Sequence, residues 1–448
     1  MLRVLALDHY FDQDLRALEA HPELDVRRIG YERIRRIAIR MMGDEVARDL
    51  ETFTLPALAT ARERYARWLR REIRRLYIER AFDMVILPSD TFFYVRALPD
   101  AAHSLGIPVV VVQKETTLSP DWIESFHEVV RRYAPFICDY TTVCSQDQRD
   151  FWINCGARPE VVEITGQPRF DLHASAPPPR TGKNRTILFF SYELDAYVPG
   201  TGSGMGWRTW EPLRSATENV LLDLARGGDA KVVIKAHPQQ NVIGDTERLR
   251  AAAGDTWGRD VVFADLNADA RELIRDADVV VGFQTTALFE AVASGRPTIY
   301  AAWGNDYENM KKDLVPFHDA PTECLRRATS ADHLRDLLSS DLPAPSGCES
   351  WYEVALGPVD GHATERTVRA LKKVATDYPM TPIRRSLDRR RRASALLRWT
   401  YLSVAEAFWA AAIPLAKIVG KKPGVDVRYK EVSESRRRVK RAVDDPQG

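Results

Sequence analysis

Residues 276–300 read DADVVVGFQTTALFEAVASGRPTIY. The segment contains an apolar run at 279–281, a polar turn at 282–286, a helical pattern at 287–294 and a second apolar run that begins at Pro297. These signals predict a strand, a helix and a second strand, the βαβ unit that makes neighbouring strands parallel. Strands that are apolar on both faces are typical of sheets covered by helices on both sides. The segment therefore predicts an α/β fold.

The same pattern recurs along most of the chain, in two sets. The first set of apolar runs lies at 4–7, 84–87, 109–112, 140–143 and 161–164. The second set lies at 186–190, 231–235, 261–263, 279–281 and 297–300. Residues 176–185 between them include three consecutive prolines, which favour a linker. We therefore expect two Rossmann-like, doubly wound parallel-sheet domains, at 1–175 and 186–378, that face a cleft, and a tail at 379–448.

Composition and charge limit the function classes. The chain has 448 residues, 45% hydrophobic and 28% charged, as expected for a globular protein of two or three domains. Lys and Arg number 64 and Asp and Glu 63, so we expect no nucleic-acid partner. Arg3 and Asp8 limit the first apolar run to four residues, which is too short for a signal peptide, so we expect a cytoplasmic protein. The five cysteines lack Cys-x-x-Cys spacing and are expected to be reduced packing residues.

Two turns carry candidate ligand-binding residues. Gln284, Thr285 and Thr286 follow one predicted strand at the start of a helix, where hydroxyls and backbone amides can bind an anion; the alternative is a plain helix cap. Lys235 ends another strand and His237 follows it, before a proline that fixes the turn. Because ligands of open parallel sheets bind beyond the carboxyl ends of the strands, both turns face the predicted crevice. Imidazole and ammonium groups there suit a diphosphate leaving group.

Four motifs resemble those of bacterial GT-B transferases that build surface glycans. They are residues 165–171 (TGQPRFD), 235–238 (KAHP), 284–297 and 360–366 (DGHATER), and the resemblance covers about residues 80–375. The chain is most similar to the CDP-glycerol glycerophosphotransferases of teichoic-acid synthesis and to capsule-polysaccharide transferases with a His-Pro motif. The resemblance implies a GT-B fold and a nucleotide-activated donor.

The resemblance also implies roles for individual residues. His237, Thr285 and Thr286 would contact the donor phosphates, and Glu290, which shares a helix face with Thr286, would bind the donor ribose. Lys235, Gln284 and Arg169 complete the implied donor site. The chain departs from the glycerophosphotransferases at 113–115 (QKE in place of a His-Gly pair) and at 191–193, and both departures argue against glycerol phosphate as the transferred group.

The general base is expected on the first domain, because the acceptor approaches from the side opposite the donor. Glu115, Asp8 and Asp90 each follow a predicted strand there, and Glu115 is the first candidate because burial can raise the pKa of a carboxylate toward a useful range. Lys114 and Asp90 are predicted to lie on the acceptor side.

No metal or other cofactor is expected. Asp276 and Asp278 match an Asp-x-Asp pattern, but they precede a strand and therefore lie at the edge of the sheet away from the crevice. His237 and Lys235 would meet the phosphate charge instead.

The tail has a different composition. Residues 384–441 hold 17 Lys and Arg against 5 Asp and Glu, a net charge of +12, whereas residues 1–383 carry −9. Leu397, Tyr401, Val404, Phe408, Ala411 and Leu415 recur at helical spacing, and Trp399 and Trp409 flank them. The tail is expected to lie on an anionic membrane at the inner face of the plasma membrane. The alternative is a helix that packs back across the first domain.

The main hypothesis is a metal-independent glycosyltransferase that moves a sugar from a nucleotide donor to a lipid-linked glycan. The alternatives are transfer of a polyol phosphate from CDP-glycerol or CDP-ribitol, a UDP-sugar 2-epimerase, and a glycan-assembly scaffold without turnover. The fold is common to all four, so only the site can separate them.

Overall fold

A computed structural model describes most of the chain: residues 1–9, 11–114, 120–182, 184–198, 206–237, 240, 242–378, 381–418 and 422–444. These residues form two parallel six-stranded sheets, each covered by helices on both faces, and a helical C-terminal tail. The predicted α/β fold of two doubly wound domains is therefore confirmed.

The first domain contains strands β1 to β6 in the order β2-β1-β3-β4-β5-β6, all parallel. The strands are β1 (Leu2–Asp8), β2 (Leu24–Gly30), β3 (Met84–Leu87), β4 (Val109–Val112), β5 (Tyr140–Val143) and β6 (Val162–Ile164). The helices are α1 (Asp12–Ala20), α2 (Tyr31–Met42), α3 (Leu50–Thr54), α4 (Ala59–Glu79), α5 (Leu98–His103), α6 (Pro120–Tyr133) and α7 (Gln146–Asn154). A 3-10 helix, Pro168–Ser175, ends the domain.

The second domain contains strands β7 to β12 in the order β12-β11-β10-β7-β8-β9. The strands are β7 (Arg185–Phe190), β8 (Ala230–Lys235), β9 (Val261–Phe263), β10 (Val279–Gly282), β11 (Thr298–Ala301) and β12 (Arg326–Ala328). The helices are α8 (Glu211–Arg226), α9 (Val242–Ala253), α10 (Ala270–Asp276), α11 (Ala287–Ala293), α12 (Asn305–Met310), α13 (Ala331–Ser339) and α14 (Glu349–Leu356). The strand order reverses between β7 and β10, which is where such sheets bind ligands.

Three further helices follow in the described part of the chain: α15 (Ala363–Asp377), α16 (Pro382–Ile418) and α17 (Lys422–Asp444). Helix α15 returns to the first domain, because its buried residues Val368, Leu371 and Val374 pack in the same apolar cluster as Val4 of β1. The segment assigned to the second domain from the sequence, 186–378, thus ends in a helix that packs on the first domain.

The expectation of five reduced cysteines is wrong for one pair. Cys324 and Cys348 form a disulfide with their Cα atoms 5.5 Å apart. The two residues are 24 positions apart, one before β12 and one at the start of α14, so only the fold brings them together. Cys138, Cys144 and Cys155 are free thiols, as expected.

Candidate functional site

The carboxyl ends of both sheets face one cleft between the domains. Gln13, just after β1, donates through Nε2 to Oδ1 of Asp269, which follows β9 in the other domain, at 3.1 Å. On the same side, Arg271 Nη1 donates to the backbone oxygen of Arg169 at 2.9 Å. These contacts place the predicted ligand-binding edges opposite each other.

The predicted donor residue Arg169 lies at this domain junction. The buried carboxylate of Asp14 accepts hydrogen bonds from Arg169 N at 3.1 Å and from Gln167 Nε2 at 3.2 Å, and it lies 3.7 Å from Arg169 Nη1. Gln167 Nε2 also donates to the backbone oxygen of Lys114 at 2.7 Å. The TGQPRFD motif therefore ties the end of β6 to α1 and to the end of β4, and Arg169 has a structural role in the resting arrangement.

The predicted ribose ligand Glu290 is paired across the junction. Its Oε2 lies 3.1 Å from Nε2 of His173, which belongs to the 3-10 helix of the first domain. His173 Nδ1 lies 2.6 Å from Ser294 Oγ, one turn beyond Glu290 on α11. The glutamate is thus buried in a three-residue polar cluster that joins the domains. A ribose would have to share this carboxylate with His173.

The three candidate residues in the turn after β10, Gln284, Thr285 and Thr286, have side chains in different environments. Gln284 has a positive φ of 40° and is buried; its amide donates to Tyr300 OH at 2.6 Å and accepts from Val315 N at 2.9 Å, so its side chain is directed into the domain and not toward a donor. Thr285 Oγ1 accepts from Ala287 N at 3.3 Å, as a helix cap. Thr286 is exposed. Of these three residues, Thr286 is the most open to solvent.

Lys235 and His237 lie together at the carboxyl end of β8. Lys235 is buried, and its Nζ donates to the backbone oxygens of Leu266 at 2.8 Å and Ala236 at 3.3 Å. Its ammonium group therefore supports the loop after β9. Burial, and secondarily the charge of Lys235, lowers the pKa of the half-buried His237, whose ring stacks edge-on with Tyr197 at 6.2 Å between centroids. The direction of this shift favours the neutral imidazole.

A cavity of about 320 Å³ opens at the carboxyl ends of β1, β3 and β4 in the first domain. Its polar lining consists of His9, Ser89, Thr91, Gln113, Lys114 and Gln148. Its aromatic lining consists of Phe92, Phe126, Phe151 and Trp152. The indole Nε1 of the buried Trp152 has no hydrogen-bond partner among the described residues. Aromatic faces beside hydrogen-bonding groups, in a volume at the lower end of the range for ligand pockets, suit a single sugar.

His9 is the functional candidate that the sequence analysis missed. Its Nδ1 is hydrogen-bonded to the hydroxyl of Tyr94, and its ring packs 3.9 Å from that of Tyr31 and 4.6 Å from that of Phe92. The neighbouring Asp8, which we predicted as a base, instead pairs with Arg28 at 3.3 Å. Because successive residues of a strand point to opposite faces, the histidine lines the cavity and the carboxylate does not. A histidine directly after β1 was the available signal.

The other predicted first-domain residues have different outcomes. Glu115, the first candidate for the base, lies outside the described residues. Lys114 is half-buried and lines the cavity, and its place on the acceptor side stays a prediction. Asp90 is fully buried beside the cavity, accepts from Ile137 N at 2.8 Å through Oδ2 and lies 3.5 Å from Arg96 Nη1; its Oδ1 has no partner among the described residues. Burial raises the pKa of Asp90 to about 6.

The raised pKa of Asp90 predicts a pH dependence of stability. The unfolded chain releases this proton near pH 4 and the folded chain near pH 6, so the free energy of unfolding should fall as the pH rises through this window, by up to about 3 kcal/mol. Relative to wild type, Asp90→Asn should therefore gain stability between pH 4 and pH 7 in urea denaturation. Asp100→Asn, at an exposed position, serves as control. If the difference in free energy of unfolding between Asp90→Asn and wild type were the same at pH 4 and pH 7, the raised pKa of Asp90 would be contradicted.

The Asp-x-Asp segment lies at the opposite edge of the sheet, as predicted. Asp278 precedes β10, and its carboxylate accepts from Arg180 Nη2 at 2.9 Å and from Thr186 N at 2.7 Å. Among the described residues, no group of three or more His, Cys, Asp or Glu side chains is arranged to hold a metal ion.

The fold and the facing edges define a class: two-domain α/β proteins of the GT-B architecture, with a ligand cleft between two Rossmann-like domains. No protein-family model matches the sequence, and no curated protein does.

Several solved structures are similar to this chain over most of its length. One is a putative UDP-N-acetylglucosamine 2-epimerase from Listeria monocytogenes, at 16% identity and a TM-score of 0.49, covering 83% of this chain and 96% of that chain. Another is UDP-GlcNAc 2-epimerase from Neisseria meningitidis bound to UDP-GlcNAc, at 14% identity and a TM-score of 0.45, covering 83% of this chain and 100% of that chain. The UDP-GlcNAc 2-epimerase of Methanocaldococcus jannaschii matches at 13% identity and a TM-score of 0.47, covering 83% of this chain and 99% of that chain. These values are too low to transfer an activity to this chain.

Proposed function

We propose that this chain is an enzyme that acts on a nucleotide sugar bound across the cleft. The nucleoside diphosphate would bind the second domain near His237 and Thr286, and the sugar would enter the cavity of the first domain. The observation that carries the proposal is the position of a sugar-sized cavity on one side of the cleft and of the half-buried His237, after β8, on the other.

His237 would stabilise the departing diphosphate. When the bond between the anomeric carbon and the phosphate oxygen breaks, negative charge grows on that oxygen, and a hydrogen-bond donor held in place stabilises it. A neutral imidazole supplies such a donor without a buried positive charge. Thr286 adds a hydroxyl at the same edge. In this proposal the protein groups meet the phosphate charge without a metal.

His9 would act as the acid or base on the sugar side. Its Nδ1 is hydrogen-bonded to Tyr94 and its ring lines the cavity, where the imidazole would exchange a proton with the bound sugar. A histidine fixed at one nitrogen and active at the other is a common arrangement for general acid–base catalysis.

Two fates of the sugar follow from the same first step. The four transferase-like motifs favour transfer to a glycan acceptor, in which His9 would deprotonate the acceptor hydroxyl. The cavity, which first-domain residues line and which has room for one sugar, also suits epimerisation. In that reaction His9 would remove the proton from the carbon beside the anomeric carbon as the diphosphate leaves. A proton would return to the opposite face of that carbon and the diphosphate would re-form its bond to the anomeric carbon, so no acceptor is consumed. Transfer of a polyol phosphate is disfavoured by the two departures from the glycerophosphotransferase motifs.

Nucleotide binding is the first test of the proposal. A thermal-shift screen with UDP, CDP, GDP, dTDP and CMP should show one that stabilises the protein, and at 100 times its dissociation constant the gain is about 2.7 kcal/mol. The preferred nucleotide then selects the donor series. An absence of any shift would contradict the proposal, and a preference for CMP or CDP would favour CMP-sugar or CDP-polyol donors.

The two fates are separated by product analysis. NMR of the matching nucleotide sugar incubated with enzyme alone should show a new sugar configuration if the enzyme is an epimerase. If it is a transferase, the donor should be consumed rapidly only when a glycan acceptor is added. Nucleotide binding without either reaction would support the scaffold hypothesis.

A further inference from the structure

We propose that the α16–α17 hairpin docks the protein on an anionic membrane surface through one defined face of α16. The face consists of Leu397, Tyr401, Val404 and Phe408, here called the outer stripe. The proposal does not depend on the reaction in the cleft.

The hairpin is firmly attached to the first domain. Arg384, at the start of α16, is buried and donates to Asp83 Oδ1 at 2.6 Å and to Tyr77 OH at 3.1 Å. Tyr77 in turn donates to Asp388 at 2.8 Å, and Leu387 packs in the core beside α4. The first two turns of α16 thus belong to the folded domain, as the packing alternative in the sequence analysis anticipated. Among the described residues, α17 is the element that contacts α16 most extensively.

The inner face of α16 is occupied by α17. Arg436 of α17 pairs with Glu406 and lies over the ring of Trp399 at 5.7 Å from its centroid. Ser433, on the same side of α17, is buried. Trp399 was predicted to flank the membrane-facing stripe, and this is wrong, because the residue lies between the two helices.

The outer stripe lies on the opposite side of α16. Its members follow one another at spacings of four, three and four residues, which places them on one line of the helix, about 180° from Glu406. Their exposed fractions are 72% for Leu397, 71% for Tyr401, 66% for Val404 and 64% for Phe408. Four large apolar side chains on one line, all more than half exposed, mark an interaction surface.

The charges around the outer stripe select the partner. Arg390 lies two turns before Leu397 on the same line, with Arg389 beside it, and both are exposed. Arg398 flanks the stripe and is also exposed. Residues 384–441 carry a net charge of +12, whereas residues 1–383 carry −9. A protein partner could cover the outer stripe without any need for the excess of positive charge. An anionic membrane fits both features, because its acyl chains would contact the apolar stripe and its headgroups the arginines.

The outer stripe does not enter the bilayer as a span. No helix within the described residues combines the length and the apolar character that crossing a membrane requires. The helix would therefore lie along the surface, with Phe408 and Leu397 among the acyl chains and the arginines at the phosphates.

Vesicle sedimentation of the full chain tests the proposal. The protein should pellet with vesicles of phosphatidylcholine plus phosphatidylserine, weakly with phosphatidylcholine alone, and less as salt is raised. Leu397→Glu with Phe408→Glu should lower the affinity by roughly tenfold or more, and Arg389→Glu with Arg390→Glu should also lower it. The matched control is Ile243→Glu, an isoleucine of α9 with 76% exposure that should leave binding unchanged.

Three results would overturn the proposal. They are no binding of the wild-type chain to the anionic vesicles, equal binding by the stripe variant, and light scattering that shows a dimer lost in the stripe variant without any vesicle binding. The last result would assign the outer stripe to a second copy of the chain. Because the substituted side chains are exposed, circular dichroism and thermal unfolding of each variant should match wild type.

Discussion

Replacing His9 by alanine is expected to lower kcat by about 10²–10⁴-fold, the usual contribution of a positioned general acid or base. The residue lines the sugar-sized cavity, and Tyr94 holds its Nδ1. The nucleotide itself binds the other domain in this account, so the shift in unfolding temperature caused by the nucleoside diphosphate should be unchanged. The measurement is steady-state turnover of the nucleotide sugar together with nucleotide binding.

Two further variants sharpen this prediction. Tyr94→Phe removes the partner of Nδ1, so it should reduce kcat less than His9→Ala and shift the pH profile of kcat, because Tyr94 is a positioning residue. Asp8→Asn separates neighbouring candidates, since Asp8 pairs with Arg28 and not with the cavity. Loss of turnover in Asp8→Asn with normal turnover in His9→Ala would show that the assignment of His9 is wrong.

Replacing His237 by alanine is expected to lower kcat by about 10²–10³-fold, the effect of removing one donor to a developing negative charge. Unlike His9→Ala, it should also weaken binding of the nucleoside diphosphate, because the imidazole contacts the phosphates in this account. His333→Ala, on α13, is the matched control. Normal turnover and normal nucleotide binding in His237→Ala would place the donor elsewhere.

The pH profile gives a second check on His237. Burial lowers the pKa of this imidazole, so its neutral form persists at pH values where an ordinary histidine is half protonated. The kcat/KM limb that reports this group should therefore lie below pH 6.5 in wild type and vanish in His237→Ala.

The buried strands were predictable because a strand that is buried on both faces is a continuous run of apolar residues in the sequence. The runs at 84–87, 109–112 and 140–143 coincide with β3, β4 and β5. The two strands without a prediction, β2 and β12, lie at the outer edges of their sheets and contain two arginines each. An edge strand is open to solvent on one side, so its sequence need not be continuously apolar.

The candidate site was predictable in position but not in detail. Proximity to a strand's carboxyl end was predictable for Lys235 and His237, which lie at the end of β8. The partners of the side chains come from distant segments: Lys235 donates to Leu266 and Gln284 contacts Val315, so both are directed inward. Such contacts depend on how the loops converge, which periodicity does not report.

The first-domain cavity was missed for the same reason. Its lining comes from the ends of three strands and from α6 and α7, which only the folded sheet brings together. The sequence drew attention to carboxylates after strands, and the histidine beside one of them was overlooked. The pattern of apolar and polar residues shows where a strand ends. Which of two neighbouring side chains then faces the cavity changes with a shift of one residue along the strand.

A structure of the full chain with the nucleotide sugar selected by the thermal-shift screen tests the central claim most directly. The account predicts that the diphosphate lies within hydrogen-bond distance of His237 and Thr286 and that the sugar occupies the first-domain cavity against His9 and Trp152. A nucleotide sugar bound outside the cleft, or bound in the cleft with its sugar directed away from the cavity, would contradict it.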